Sequence, residues 1–476
     1  MRTTLLATAA TLAVTASAAA QVSMTPLTTF GSNGWLAPGS TPYLSTANTE
    51  RGFAYNPLTG NLVLVARQNV AGVSNNIRVL DGASGTDLGG LDNTGFSGGT
   101  FLVNMAGCAD DGSIYVANLS TSATAPFTVY KWDSEATGFT TPPTVAYTAI
   151  TGVTRTGDAF AVTGGVGPTP VTFAAAGTNN VQASNFVVGP LDGTNLATAY
   201  LSVPGTGSAS NDYRLSLSFV DGDTLIGNQG GLARQTDFTP GGIATVSGSI
   251  PLGGTARRPL DYTVIGNTPV LAVVDTNSSD VLVFDVTDPA APVQLATANN
   301  TVGALPGNVN GVGSVQWGAV AGSTAILYAM STNQGIQAFL VDFGGLANAS
   351  GYGIGCDNLL LATNGAPSIG NAGFELVVSG VPAASPAALV GFGTQVVNPG
   401  IDLTAVGMAG CFGYTNLDLG LYLTGPLAAG AGAFALPLPA DPNLAGQMVS
   451  AQGVAFSTLT SLGLASSNGQ QLMFGF

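Results

Sequence analysis

The stretch RGFAYNPLTGNLVLVAR, from Arg51 to Arg67, decides the class of this chain. Two apolar runs flank Asn56-Pro57-Leu58-Thr59-Gly60, where proline presets a turn and glycine accepts a left-handed backbone. That is strand, turn, strand. The unit returns as Ala106–Asn118, Gly152–Thr163, Arg214–Asn228, Leu260–Asp275 and Val315–Met330, about every 50 residues. Third strands follow, as in Ile77–Asp81 (IRVLD), Val129–Asp133 (VYKWD) and Val281–Asp285 (VLVFD). Each leads through an Asp, Gly or Pro turn towards a fourth. Short strands at this period predict an all-β chain opening with a β-propeller of four-stranded blades. About six blades fit between Glu50 and Phe343, and the loosely spaced third and fourth units leave room for a seventh. The last unit lacks a fourth strand, and the segment Val22–Phe30 is expected to supply it and close the ring, since closure removes exposed edges.

The N-terminus reads as an export signal over residues 1–20. Met1-Arg2 is basic, Thr3–Ala16 is apolar, and Ser17-Ala18-Ala19-Ala20 offers a cleavage site before Gln21. The apolar run is too short to span a membrane. The propeller is expected over 21–346 and a second β domain over 352–476, joined by a linker at 347–353. The second domain fits a β-sandwich or jelly roll. Its last residues, Leu472, Phe474 and Phe476, alternate as in strands that insert into outer membranes, but few aromatics stand near to form a girdle, and a final sandwich strand is the expected reading.

Composition excludes whole classes of chemistry. The chain has no histidine, so a Ser-His-Asp triad, a Cys-His pair and His-dependent zinc sites are ruled out. Carboxylate pairs, Tyr or Arg bases and oxygen-ligated calcium or magnesium survive. Only 7% of residues are charged and the net charge is −15. Lys131 is the one lysine, so a nucleic-acid partner has no cationic footprint to grip. Cys108 is expected as a buried free thiol on an inner strand. Cys356 and Cys411, each just after a Gly-containing turn, are expected to form a disulfide in an exported protein.

Within this charge-poor chain the arginines stand out. Arg51, Arg214, Arg257 and Arg258 stand at or just before first-strand starts, and Arg67, Asn118, Asn228 and Asp275 at second-strand ends. In an antiparallel blade those positions share one face beside the central channel, so the guanidinium groups are expected to converge and hold a carboxylate, a sulfate or an acidic sugar. The competing expectation is that they pair with Glu50, Asp212, Asp261 or neighbouring carbonyls and lock the blades together. Other motifs carry less. Gly95–Gly99 matches G-x-S-x-G, but a nucleophile elbow needs a helix and a histidine. Asp275–Asp280 departs from a calcium loop at its sixth and twelfth places. No catalytic residue, metal ligand or cofactor is assigned, with calcium left open.

Two resemblances complete the reading. The residues Tyr43–Arg67 (YLSTANTERGFAYNPLTGNLVLVAR) and Val79–Leu91 (VLDGASGTDLGGL) resemble a family of secreted bacterial propeller-like proteins of unassigned function, labelled surface-layer-like or NHL-like. The second domain, through GYGIGC, GMAGC, Leu436–Gln452 and Leu464–Gly475, looks like a C-terminal module shared by many exported bacterial proteins. That resemblance implies sorting, anchoring or adhesion. The combined expectation is an exported, extracellular or cell-surface binding platform without catalysis. Its partners would be a surface glycan, an acidic ligand or a protein, with no nucleic acid and no membrane span. The alternatives are an extracellular enzyme acting on carbohydrate or lactone, and a structural surface-layer component.

Overall fold

The protein is seen in a computed structural model that describes residues 22–475, except 71, 152–154, 179–184, 192–198, 203–211, 240–243, 266–267, 345–346 and 442–443. The expected signal at residues 1–20 lies outside them. The chain is all-β. Among the described residues helix is confined to isolated short turns, such as Glu135–Gly138 and the 3-10 turn Thr404–Val406. It divides into two compact units, Ser23–Asp342 and a second that contains Phe343–Phe476.

In the first unit the described residues form six antiparallel sheets, with strands paired in chain order. The first sheet runs Glu50–Tyr55, Leu62–Ala66, Asn76–Leu80, Asp87–Gly90, and the second Phe101–Cys108, Ile114–Leu119, Phe127–Trp132, Thr144–Ala149. The third begins with Arg155–Thr163, the fourth with Ser216–Phe219 and the fifth with Arg257–Ile265. The sixth contains Gly313–Ala321, Thr324–Ser331 and Ile336–Asp342, and its fourth place is taken by Ser23–Pro26, antiparallel to Ile336–Asp342. The described residues hold no seventh sheet in the room left for one around the third and fourth units. Each first strand lies against the first strand of the next sheet, and that of the sixth lies against that of the first.

Burial between facing sheets holds these neighbours together. Val63, Val65, Ile77 and Val79 of the first sheet pack on Ala106, Ile114, Val116 and Trp132 of the second, all buried. Equivalent apolar layers fill the spaces between the second and third sheets, the third and fourth, and the fourth and fifth. At about 25 cal/mol per Å² of apolar surface, such layers supply most of the driving force. Polar side chains add cross-links between adjacent first strands. Phe53 N donates to Ser314 Oγ at 3.0 Å, Leu260 N to Ser216 Oγ at 2.9 Å, and Trp317 N to Asp261 Oδ2 at 2.8 Å.

A bulge recurs near the start of the first strands. Register shifts fall between Glu50 and Gly52, Phe101 and Met105, Thr156 and Phe160, and Arg257 and Leu260. This corrects one expectation. Gly152–Thr163 is not a hairpin around Thr156-Gly157-Asp158. Arg155–Thr163 is one strand, and the hairpin partner is Thr172–Thr178. The Gly and Asp that read as a turn form the bulge. Gly157 sits at φ +101°, and a Cβ there would stand 2.3 Å from the Asn118 carbonyl oxygen.

The second unit holds a five-stranded antiparallel sheet, a three-stranded sheet and a two-stranded ribbon. Leu361, Leu376 and Val378 from the three-stranded sheet share one core with Val390, Ala451 and Leu472 from the five-stranded sheet. The stretch expected as a linker is instead an edge strand, Asn348–Tyr352, paired to Leu464–Met473. Cys356 and Cys411, 55 residues apart, form the expected disulfide. Closing a loop of that size contributes about 4 kcal/mol in the chain-entropy model. Cys108 is free, as expected, but half-buried rather than enclosed.

Candidate functional site

The bulges in the first three sheets aim polar side chains at one another. Arg51 is 5% exposed and donates from Nε to Asn104 Oδ1 at 3.3 Å. Arg67, at the end of the second strand of the same sheet, donates from Nη2 to that oxygen and from Nε to the Val103 carbonyl at 3.0 Å. Its guanidinium also lies 3.7 Å from the centre of the Phe101 ring. Asn104 spends its own amide on the Gly157 carbonyl at 2.5 Å. One residue further, Asp158 receives Arg155 Nε on Oδ2 and Arg155 Nη2 on Oδ1 at 2.8 Å, and Arg214 Nε on Oδ2 at 2.9 Å. The first four sheets and the residues that flank their strands thus contribute Arg51, Arg67, Asn104, Arg155, Asp158 and Arg214 to one cluster.

The cluster carries more positive charge than it neutralises. Four guanidinium groups face one directly paired carboxylate, with Glu50 as a further negative neighbour. Burial, followed by the charge of Arg51, pushes Arg67 down to about 9. Burial also lowers Arg51, opposed by Asp158 and reinforced by Arg155 and Arg214. Burial works against the charge of Asp158, yet its two arginine partners hold the carboxyl below its ordinary value. Both Nη groups of Arg51 and both of Arg214 donate to no protein atom among the described residues. Glu50 is engaged elsewhere and accepts from Asn333 N at 2.7 Å.

Of the residues expected from sequence, Arg51, Arg67 and Arg214 come together. The others serve the backbone. Asn118 accepts from Thr128 N at 3.1 Å, and Asn228 donates to the carbonyls of Arg257 and Arg258 at 2.7 and 2.8 Å. Asp275 caps its own turn through the amides of Asn277 and Ser278. Arg257 reaches the Leu252 carbonyl and Arg258 the Thr255 carbonyl, so both turn to their own loop. Asn104, Arg155 and Asp158 were not expected. For Arg155 and Asp158 the signal was a charged residue flanking Gly157, a pattern that does not distinguish a bulge from a turn, and Asn104 stands in an apolar run with no such mark. The expected carboxylate partners do not take these arginines among the described residues: Asp212 binds Arg234, a residue outside the expected set, at 3.3 Å, and Asp261 accepts from Ser218 and Trp317.

A second feature lies at the opposite end of the same first strands. A cavity of about 250 Å³ is lined by Tyr55, Phe160, Tyr262 and Trp317 with the carboxyls of Asp110 and Asp261. Burial pushes Asp261 up to about 6, against three hydrogen bonds that favour its ionised form.

Residues 24–188 match the model of a family described as a domain of unknown function, DUF4623. No curated protein matches the chain. Among solved structures, it is similar to a DUF4623 family protein from Bacteroides eggerthii DSM 20697, at 16% identity and a TM-score of 0.47 over 62% of this chain and 71% of that one. Among the described residues no helix is long and apolar enough to cross a membrane.

Proposed function

We propose that this is an exported binding protein whose first unit is a six-bladed β-propeller. Its arginine cluster would capture an anionic ligand, such as the carboxylate of an acidic sugar or a sulfate. The cyclic succession of first strands supports the propeller reading, with Ser23–Pro26 completing the sixth blade. The shared core of the two larger sheets in the second unit supports a β-sandwich, used for attachment at the cell surface. The observation that carries the binding reading is the excess of guanidinium groups with unspent forks in a protein of net charge −15. Fork-shaped donors match planar or tetrahedral oxyanions, and partial desolvation strengthens the pairing.

Calorimetric titration of the full chain with sodium glucuronate and with sodium sulfate tests the reading. Saturable binding of either, lost in the double variant Arg51→Gln/Arg214→Gln with an unchanged melting temperature, supports a site. A fall in melting temperature with no binding by the parent protein assigns the arginines to blade locking.

A further inference from the structure

We propose that the cavity between Tyr55, Phe160, Tyr262 and Trp317 binds a small organic cation, an ammonium or quaternary ammonium group, with Asp261 and Asp110 as its counter-charges. The cavity belongs to the far ends of the first strands. Arg155, in the cluster, and Thr163, beside the cavity, bound a nine-residue strand, a reach of about 26 Å at the usual rise. The two places are therefore separate sites. The space is about 250 Å³, several times the volume of a water molecule's share of the liquid, about 30 Å³.

Its lining is selective in charge. Among the described residues the charged side chains around it are Asp110 and Asp261, and neither arginine nor lysine joins them. Five aromatic residues, Tyr55, Phe160, Phe219, Tyr262 and Trp317, from the first, third, fourth, fifth and sixth sheets, line the same space. Ring faces attract a cation through their quadrupole, and more strongly where water is excluded. Asp261 is held in place rather than free to swing. Oδ1 accepts from Ser218 Oγ at 2.7 Å and Oδ2 from Trp317 N at 2.8 Å. Those bonds leave lone pairs on both oxygens. Burial resists its ionisation and pushes the group up to about 6, so a cation beside it would relieve the cost of a desolvated negative charge. Asp110 is exposed at the rim, where burial and Asp111 raise it.

The probe is choline chloride, titrated calorimetrically into the full chain, with sodium chloride and glucose titrated in parallel. Saturable choline binding is expected, weakened about tenfold or more in Asp261→Asn, a loss of one close charge pair. Asp110→Asn, a change at an exposed position, keeps the test open should the first variant fail to fold, and a several-fold loss is expected. Circular dichroism verifies that each variant is folded. Absence of choline binding, binding of glucose alone, or choline affinity unchanged in Asp110→Asn and in folded Asp261→Asn would overturn the proposal. This inference does not depend on the arginine cluster, and the glucuronate titration can fail without affecting it.

Discussion

At the residue scale, two carboxylates and one glycine carry most of the consequences. Asp158 joins Arg155 to Arg214, and those arginines hold it below its ordinary value although burial opposes its charge. A depressed carboxyl stabilises the fold above its unfolded value, and that contribution is lost as pH falls through the folded value. Asp158→Asn should therefore cost about 1–3 kcal/mol at neutral pH and flatten the acid limb of a stability–pH curve measured by urea unfolding. Asp261 has the opposite sign. Burial raises its folded value to about 6 from 3.8. The native state then binds more protons between those values, so stability falls as pH rises through that window. Relative to Asp261→Asn, the parent should lose up to about 3 kcal/mol between pH 4 and pH 7. Gly157 is the third. With φ at +101° and the Asn118 carbonyl 2.3 Å from any Cβ, Gly157→Ala should destabilise by roughly 2 kcal/mol and displace Asp158, a change readable by urea unfolding. Little of this was legible in sequence. Thr156-Gly157-Asp158 has the composition of a tight turn, and only pairing to Thr172–Thr178 shows that the chain runs on through it.

At the element scale, the strand–turn–strand units were legible because alternating apolar residues and Gly, Asn or Asp turns recur together. Asn56–Gly60 behaves as its composition suggests. Leu58 N donates to Asn56 Oδ1 at 3.1 Å, and Gly60 adopts φ +78°. The N-terminal strand was also legible, since the sixth unit lacked a partner after Phe343. Its place beside Ile336–Asp342 leads to a prediction. Removing Ser23–Pro26 should uncover a sheet edge, lower the melting temperature and promote self-association, measured by light scattering. The edge strand Asn348–Tyr352 was hidden, because Ala, Ser and Gly carry linker composition and only the backbone ladder to Leu464–Met473 makes them a strand.

At the scale of the whole molecule, charge scarcity gives the two ends of the first strands their character. In a chain with 7% charged residues, four clustered guanidinium groups dominate one end and two carboxyls the other. The gathering of arginines was partly legible, since first-strand starts share an end. Which of them gather was not, because Arg257 and Arg258, at the start of their strand, bond to carbonyls of the loop just before it. The disulfide belongs to the second unit alone. The double variant Cys356→Ser/Cys411→Ser should lower that unit's stability by about 4 kcal/mol and leave the unfolding of the first unit in place, visible as separated calorimetric transitions. The most direct measurement of the central claim is a crystal structure grown with selenate, read from the selenium anomalous signal. The account predicts a peak within hydrogen-bonding reach, about 3 Å, of the free guanidinium nitrogens of Arg51 and Arg214. Selenate bound only elsewhere, or guanidinium groups pointing apart, would contradict it.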